Sequence, residues 1–386
     1  MKGRAWMLVG VCLSSLAVPE AAEACGGGGI VSSKAPGLVG SNAQRVLISV
    51  RDDGVGGAPD GTEVITQIVV PETTADYGAL LPMPSEPILD PEPVSMEELE
   101  ALDTQTAPQI VTVEGDDGGG SGCGCMGTGS VAKDGEAPKR VRTSEPVDIG
   151  PVTAVVLSGT SEAVNTWLGE NGFFISEADE ETINEYSGYY FVAIRRNERA
   201  APGGPTSIGI HFSMPGDHRE LPLRFASLGA APTVAFTLFL ATPDSAGPSQ
   251  PFAALTLDDL DGELLRTAGY RAALESAVRA RSHRAFVLES RTSGANLSLS
   301  GQVRALMGGT VTRMSTIVPA TALTEDAHFY APYEGEVPNE RFAAAPRDIG
   351  AREASVGSLG GLVLLGMLRR RGPHRLSRRG AVRTRW

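Results

Sequence analysis

Apolar and polar residues alternate with a period of two along residues 45–51 (RVLISVR) and 62–70 (TEVITQIVV), the pattern of two strands. The glycine- and aspartate-rich DDGVGGAPDG between them predicts a hairpin. After Tyr77 the run YGALLPMPSEPILDPEP carries too many prolines for a central strand and reads as an edge or an extended crossing. Ser95 followed by Glu98 has the spacing of a capping box and predicts a short helix over 96–102.

Residues 114–148 contain almost no apolar side chain, which predicts a long loop, either mobile or pinned only through its cysteines. A second ordered block opens with a strand over 152–158 and a helix over 161–170, closed by the left-handed-tolerant pair Asn171-Gly172. A helix within 177–186 follows, then strands over 189–195, 207–213, 221–227 and 233–241. A helix over 260–279, a strand over 285–290 and a mixed segment ending in VTRMSTIVPATALTEDAHF complete the block. Strands come in groups with helices between them and no strict βαβ alternation, so the predicted class is α+β with largely antiparallel sheet.

Composition changes this picture little. The 386 residues are 41% hydrophobic, enough for a core, while 47 Gly and 26 Pro imply much turn and loop around it. Charge is more informative. The net −13 hides an acidic body: residues 25–368 hold 23 basic and 44 acidic side chains, a net −21, whereas 369–386 hold eight Arg and no acid. Such a body repels phosphate backbones, so nucleic acid is not an expected partner.

The two ends read as addresses. Lys2 and Arg4, an uncharged apolar run over 5–18, Pro19 and small residues at 22 and 24 predict a signal peptide over 1–24, cut between Ala24 and Cys25. Ala22 and Glu23 do not have the character of a lipobox, so simple cleavage is favoured over lipidation of Cys25. At the other end, 356–368 is uncharged and is followed by Arg369, Arg370 and Arg371 within a C-terminal region 351–386. Thirteen residues are short for a spanning helix, but an arginine block stays cytoplasmic and places the preceding chain outside. This arrangement resembles the C-terminal sorting tails of myxobacterial surface proteins, although it lacks a cysteine before the apolar segment and has extra residues 372–386. The expected location is the envelope or outer surface of a Gram-negative bacterium, with membrane contact through the C-terminal segment.

Candidate chemistry is sparse. The glycines after Cys25 lack the Lys-Ser/Thr pair of a phosphate loop, and no Gly-x-Ser-x-Gly elbow occurs. The five histidines include no pair at ligand spacing. His211 lies in a strand pattern as a half-buried core residue, and His328, with Glu325 and Asp326 nearby, is the best lone acid–base candidate. The acidic run 258–263 fits a capped helix start better than a calcium loop. Tyr186, Tyr189 and Tyr190 form a candidate aromatic binding patch, though such residues also serve as core at strand starts.

Three cysteines remain after cleavage: Cys25, Cys123 and Cys125. In an oxidising compartment Cys25 can bridge to Cys123 or Cys125, and a structural disulfide is favoured. A Cys123–Cys125 bridge, or a three-thiolate metal site completed by a fourth ligand such as a histidine, stays open. No cofactor is expected.

The order EACGGG, LLPMP, TAPQ, TWLGENGFFI, YYFVAIR, LPLRF and VTRMSTIVPATALTEDAHF resembles an uncharacterised family of bacterial exported proteins, a domain of unknown function, over roughly residues 24–330. The resemblance implies a location and an exported domain over 25–350, and brings no activity, ligand or catalytic residue. The expected function is therefore a non-catalytic envelope or surface protein. The alternative is an exported metal-binding protein or hydrolytic enzyme using Cys25, Cys123 and Cys125.

Overall fold

A computed structural model describes residues 29–30, 43–51, 61–70, 78–113, 141–173, 175–197, 206–334 and 337–344. These form an α+β structure with largely antiparallel sheets. The larger sheet has eight strands in the order Ala253–Thr256, Ala285–Ser293, Thr310–Pro319, Thr233–Thr242, Ala43–Arg51, Gly61–Val70, Thr206–Pro215 and Ile88–Leu89. Two of its neighbour pairs are parallel, Thr233–Thr242 with Ala43–Arg51 and Ala253–Thr256 with Ala285–Ser293. The predicted hairpin strands pair antiparallel, with Val46 opposite Thr66.

Alternation decides what each face carries. Val46, Ile48, Ile68 and Leu238 point toward a smaller sheet, where they meet Ala79, Leu81, Met83, Val192 and Ile194 in one core. Leu47, Ile65, Phe239 and Val311 point the other way, onto Leu99 and Leu102 of the helix Met96–Thr106 and Val303 of the helix Gly301–Ala305. Because both faces are covered, every residue of Gly61–Val70 is buried, including the polar positions that alternation alone would place in solvent. Charge on the helix-covered face is neutralised in place. Arg313 bonds both Glu289 and Asp103, Arg45 bonds Asp103 at 2.8 Å, and the Tyr270 hydroxyl bonds Glu289, which is fully buried.

The smaller sheet runs Gly29–Ile30, Gly78–Met83, Tyr190–Arg196, Val152–Ser158 and Arg142–Thr143, with Val147–Ile149 also on Val152–Ser158. Three expectations change here. The proline-rich Gly78–Met83 is an interior strand. On one side Tyr190–Arg196 pairs along its whole length, with Phe191 opposite Pro82, and on the other Gly29–Ile30 pairs with Ala79 and Leu80. Residues 141–148 are ordered against Val152–Ser158, while 114–140 lie outside the described residues. Residues 221–227 are not a strand: only Glu220–Leu221 pairs, and Phe225–Ser227 is a 3-10 turn whose Phe225 is fully buried.

The helix caps follow the sequence closely. Ser95 accepts the Glu98 N–H, but the Glu98 carboxylate accepts from the Val303 N–H at 3.1 Å, so the capping box is one-sided. Asp261 caps the helix Gly262–Ala280 through the Leu264 N–H, as the acidic run predicts. No helix among the described residues is long and apolar enough to cross a membrane; residues 356–368 lie outside them.

Candidate functional site

The site is built where the chain leaves Thr206–Pro215. Gly216 turns with φ +89°, and Thr62 locks the turn: its hydroxyl donates to the Gly216 carbonyl at 2.7 Å and accepts the His218 N–H at 2.8 Å. Arg219 is held by Asp217 at 2.8 Å and Asp244 at 2.9 Å. The next residue, Glu220, pairs in register with His328 on the short strand Ala327–His328.

This register assembles a half-buried acidic cluster. The Tyr189 hydroxyl donates to Glu220 Oε1 at 3.2 Å, and His328 Nδ1 lies 3.6 Å from Glu220 Oε2, ion-pair range but too long for a hydrogen bond. Asp326 accepts from the Tyr186 hydroxyl at 2.8 Å and from the Arg224 N–H at 3.0 Å. Burial, followed by the negative charge of Asp326, pushes the Glu220 carboxyl up to about 7, against the smaller pull of the Tyr189 hydrogen bond. Burial also raises Asp326, opposed first by the Tyr186 hydrogen bond. The tyrosines are raised too: burial and Asp326 act on Tyr186, burial and Glu220 on Tyr189. Both hydroxyls stay protonated donors throughout the physiological range.

Glu220 also borders a cleft of about 50 Å³ between the two sheets. Its walls are apolar, with Val46, Ile48 and Phe212 from the larger sheet and Leu81 and Met83 from the smaller. Its polar groups are Gln44, Thr66, His218 and Glu220. Gln44 is 4% exposed, and its Nε2 donates to Thr66 Oγ1 at 3.0 Å while its Oε1 is buried without a hydrogen-bond partner among the described residues. His218 is tied through Nε2 to the Pro215 carbonyl at 2.8 Å, and burial lowers its pKa.

Other sequence candidates fall elsewhere. His211 is half-buried in Thr206–Pro215, and its ring is held by two carboxylates: Nε2 meets Glu63 at 2.8 Å and Nδ1 meets Asp90 at 3.2 Å. Burial lowers its pKa, but the two carboxylates outweigh burial and raise it overall. Glu325 is 2.6 Å from Arg284 and does not join the cluster. Tyr186 and Tyr189 are core-facing with committed hydroxyls, and their rings meet edge-on at 5.2 Å, so they form no exposed patch; Tyr190 is half-buried at the start of its strand. Among the described residues no three His, Cys, Asp or Glu side chains are grouped to hold a metal ion; Ala24, Cys25, Cys123 and Cys125 lie outside them.

Two features of the site escape a reading of sequence alone. Glu220 sits just before the segment 221–227 that reads as a plain strand, and only its pairing with His328, 108 positions on, reveals it. Gln44 did carry a signal: it occupies the same alternation phase as Val46 and Ile48, a polar residue on a core-facing position.

Comparison with known families decides the relationship. Residues 21–245 match the family described as an uncharacterized protein conserved in bacteria, DUF2330. The chain belongs to this family. No curated protein and no solved structure matches it. The DUF2330 match spans all the cleft residues together with Tyr186, Tyr189 and Glu220, and ends before Asp326 and His328.

Proposed function

We propose that this DUF2330 protein is an exported, non-catalytic binding protein of the bacterial envelope that holds a small apolar group, bearing one hydrogen-bond donor, between its two sheets. The observation that carries this reading is the Gln44 carbonyl oxygen: buried, without a hydrogen-bond partner among the described residues, and on the wall of a largely apolar cleft. A buried acceptor left unsatisfied costs about 1–3 kcal/mol. A ligand N–H or O–H bonded to Gln44 removes that cost, and the surrounding aliphatic side chains supply the rest of the binding energy. The signal-peptide pattern of 1–24 supports export, and the apolar 356–368 with its arginine block supports attachment or sorting at the membrane.

A second reading draws on Glu220. A carboxyl near 7 on the lining of a cleft has the proton affinity of a general acid–base group, as a hydrolytic enzyme needs. Among the described residues, however, neither Glu220 nor His328 hydrogen-bonds a serine, threonine or cysteine side chain that would act as nucleophile. This favours binding.

The test is extraction of the full chain purified from its native envelope, followed by mass spectrometry of the extract, for wild type and Gln44→Leu. A small molecule retained near one per chain by wild type, and at least tenfold less by the variant, supports the reading. Equal retention by both, or no retained molecule, overturns it. Conversion of the retained molecule during incubation, abolished by Glu220→Gln, instead establishes the enzyme.

A further inference from the structure

The smaller sheet has a second face, turned away from the cleft. Leu80, Leu157, Phe191 and Ala193 on that face are covered by Val164, Leu168 and Ile183 of the helices Ser161–Glu170 and Glu177–Glu185. Where the first helix stops, the face opens into a groove of about 220 Å³.

The way the helix stops builds the wall of the groove. Gly172 turns with φ +83°, the Phe173 N–H returns to the Leu168 carbonyl at 2.9 Å, and the Gly172 N–H returns to Gly169 at 3.3 Å. This double return is the Schellman arrangement, which brings the residue after the glycine back against the helix. Phe173 thereby meets Trp167, with ring centroids 6.3 Å apart and planes tilted by 34°. Asn171 fixes the corner by donating from Nδ2 to the Trp167 carbonyl at 2.8 Å. Opposite stand Thr143, Thr153 and Arg195, the last two in register across adjacent strands. Arg195 is exposed, and among the described residues its guanidinium has no hydrogen-bond or ion-pair partner, although the chain carries a net charge of −13.

From this juxtaposition of an aromatic wall, a hydroxyl and amide fringe and an unpaired arginine, we propose a binding site for an acidic sugar, a pyranose ring carrying a carboxylate. The apolar C–H face of such a ring lies against Trp167 and Phe173 and buries surface there. Its hydroxyls match the Thr143 hydroxyl, the Asn171 amide and the acceptor side of the Thr153 hydroxyl, whose own proton goes to Asp148 Oδ1 at 2.6 Å. Its carboxylate takes the forked donors of Arg195, the geometry for which arginine is suited and lysine is not. The size agrees: the groove is smaller than the sites of drug-sized ligands, about 300–1,000 Å³, and suits a single ring.

The site is independent of the cleft, because the two occupy opposite faces of the same sheet. It is also directly observable. The chain has three tryptophans, Trp6, Trp167 and Trp386, so Trp6→Phe and Trp386→Phe in the full chain leave Trp167 as the sole emitter. Titration of this chain with glucuronate and galacturonate, followed by tryptophan emission, is expected to give saturable binding that glucose reproduces at least tenfold more weakly. Arg195→Gln is expected to remove the preference for the acid, and Gln44→Leu to leave the titration unchanged. Tighter binding of oligomers than of monomers identifies a polymer as the source and equal binding a free sugar acid, and either keeps the assignment. Equal affinity for glucose and glucuronate, undiminished affinity in Arg195→Gln, benzoate binding as tightly as glucuronate, or absence of saturation overturns it.

Discussion

The Tyr189 hydroxyl donates to Glu220 Oε1 across 3.2 Å, joining the turn after the helix Glu177–Glu185 to the strand at the mouth of the cleft. It holds down a carboxyl that burial and Asp326 drive upward. The balance sets a charge beside an apolar cavity at a pH where small changes matter.

Stability is therefore expected to depend on this carboxyl. Its folded pKa, about 7, lies above the ordinary carboxylate value, so the folded state binds the proton more tightly than the unfolded chain. The stabilisation is fully present below about pH 4.3 and is lost as pH rises through 7, a total of about 1–3 kcal/mol. Glu220→Gln should flatten this part of a plot of Tm against pH and raise Tm at pH 8. His211, also raised, loses its contribution as pH climbs above its unfolded value, so some slope should survive in the variant. A curve for Glu220→Gln that parallels wild type from pH 4.5 to 7 would rule out this role.

Arg313 and Glu289 form a second charge relationship, of opposite consequence. Glu289 is fully buried, and Arg313 neutralises it while also holding Asp103 on the covering helix. Arg313→Met leaves that carboxylate without its cation, and urea unfolding should report a loss of about 3–5 kcal/mol. The double variant Arg313→Met with Glu289→Leu should recover a large part of it, since the unpaired charge is gone. Equal losses in single and double variants would count against the explanation.

The same residues mark how far the fold was legible. Runs of β-branched and aliphatic residues bounded by glycine and aspartate turns located the strands of Ala43–Arg51 and Gly61–Val70, and Asn171-Gly172 located a helix end because few pairs tolerate a left-handed backbone. What stayed hidden depends on contacts far apart in sequence. The interior placement of Gly78–Met83 shows only in its pairing with Gly29–Ile30 on one side and Tyr190–Arg196 on the other, and Glu63 and Gln67 are buried because they share with Ile65 the face that helices cover. The site was half visible: His328 stood out beside Asp326, while Glu220 and the acceptor of Gln44 acquire meaning only from strand pairing and sheet packing.

Glycine positions separate close approach from permissive space. A Cβ on Gly209 would lie 2.8 Å from Val94 Cβ and 3.1 Å from Ile65 Cγ2, where the segment before the helix Met96–Thr106 crosses the sheet. Gly209→Ala should destabilise by about 1–3 kcal/mol through overpacking. Gly169, inside the helix Ser161–Glu170, has no atom within 4 Å of such a Cβ, and Gly169→Ala should stabilise by about 0.5–1 kcal/mol. Thermal unfolding of both variants checks the pair, and equal signs would refute the packing argument.

The mature ends are the remaining expectation with a direct readout. A basic start, an uncharged run and small residues at 22 and 24 predict a cut after Ala24, which makes Cys25 the first residue. Intact mass of the protein isolated from its native envelope should begin at Cys25 without an acyl addition, because Ala22 and Glu23 do not supply a lipobox. Alkylation under denaturing, non-reducing conditions should then label one thiol of Cys25, Cys123 and Cys125, since a disulfide consumes two. An acyl mass on Cys25 would show that the terminus is a membrane anchor, and three labelled thiols released only after zinc removal would replace the disulfide with a metal site. Retention or loss of residues beyond 355 in the same spectrum distinguishes an anchored protein from one whose arginine-rich tail is a removed sorting signal.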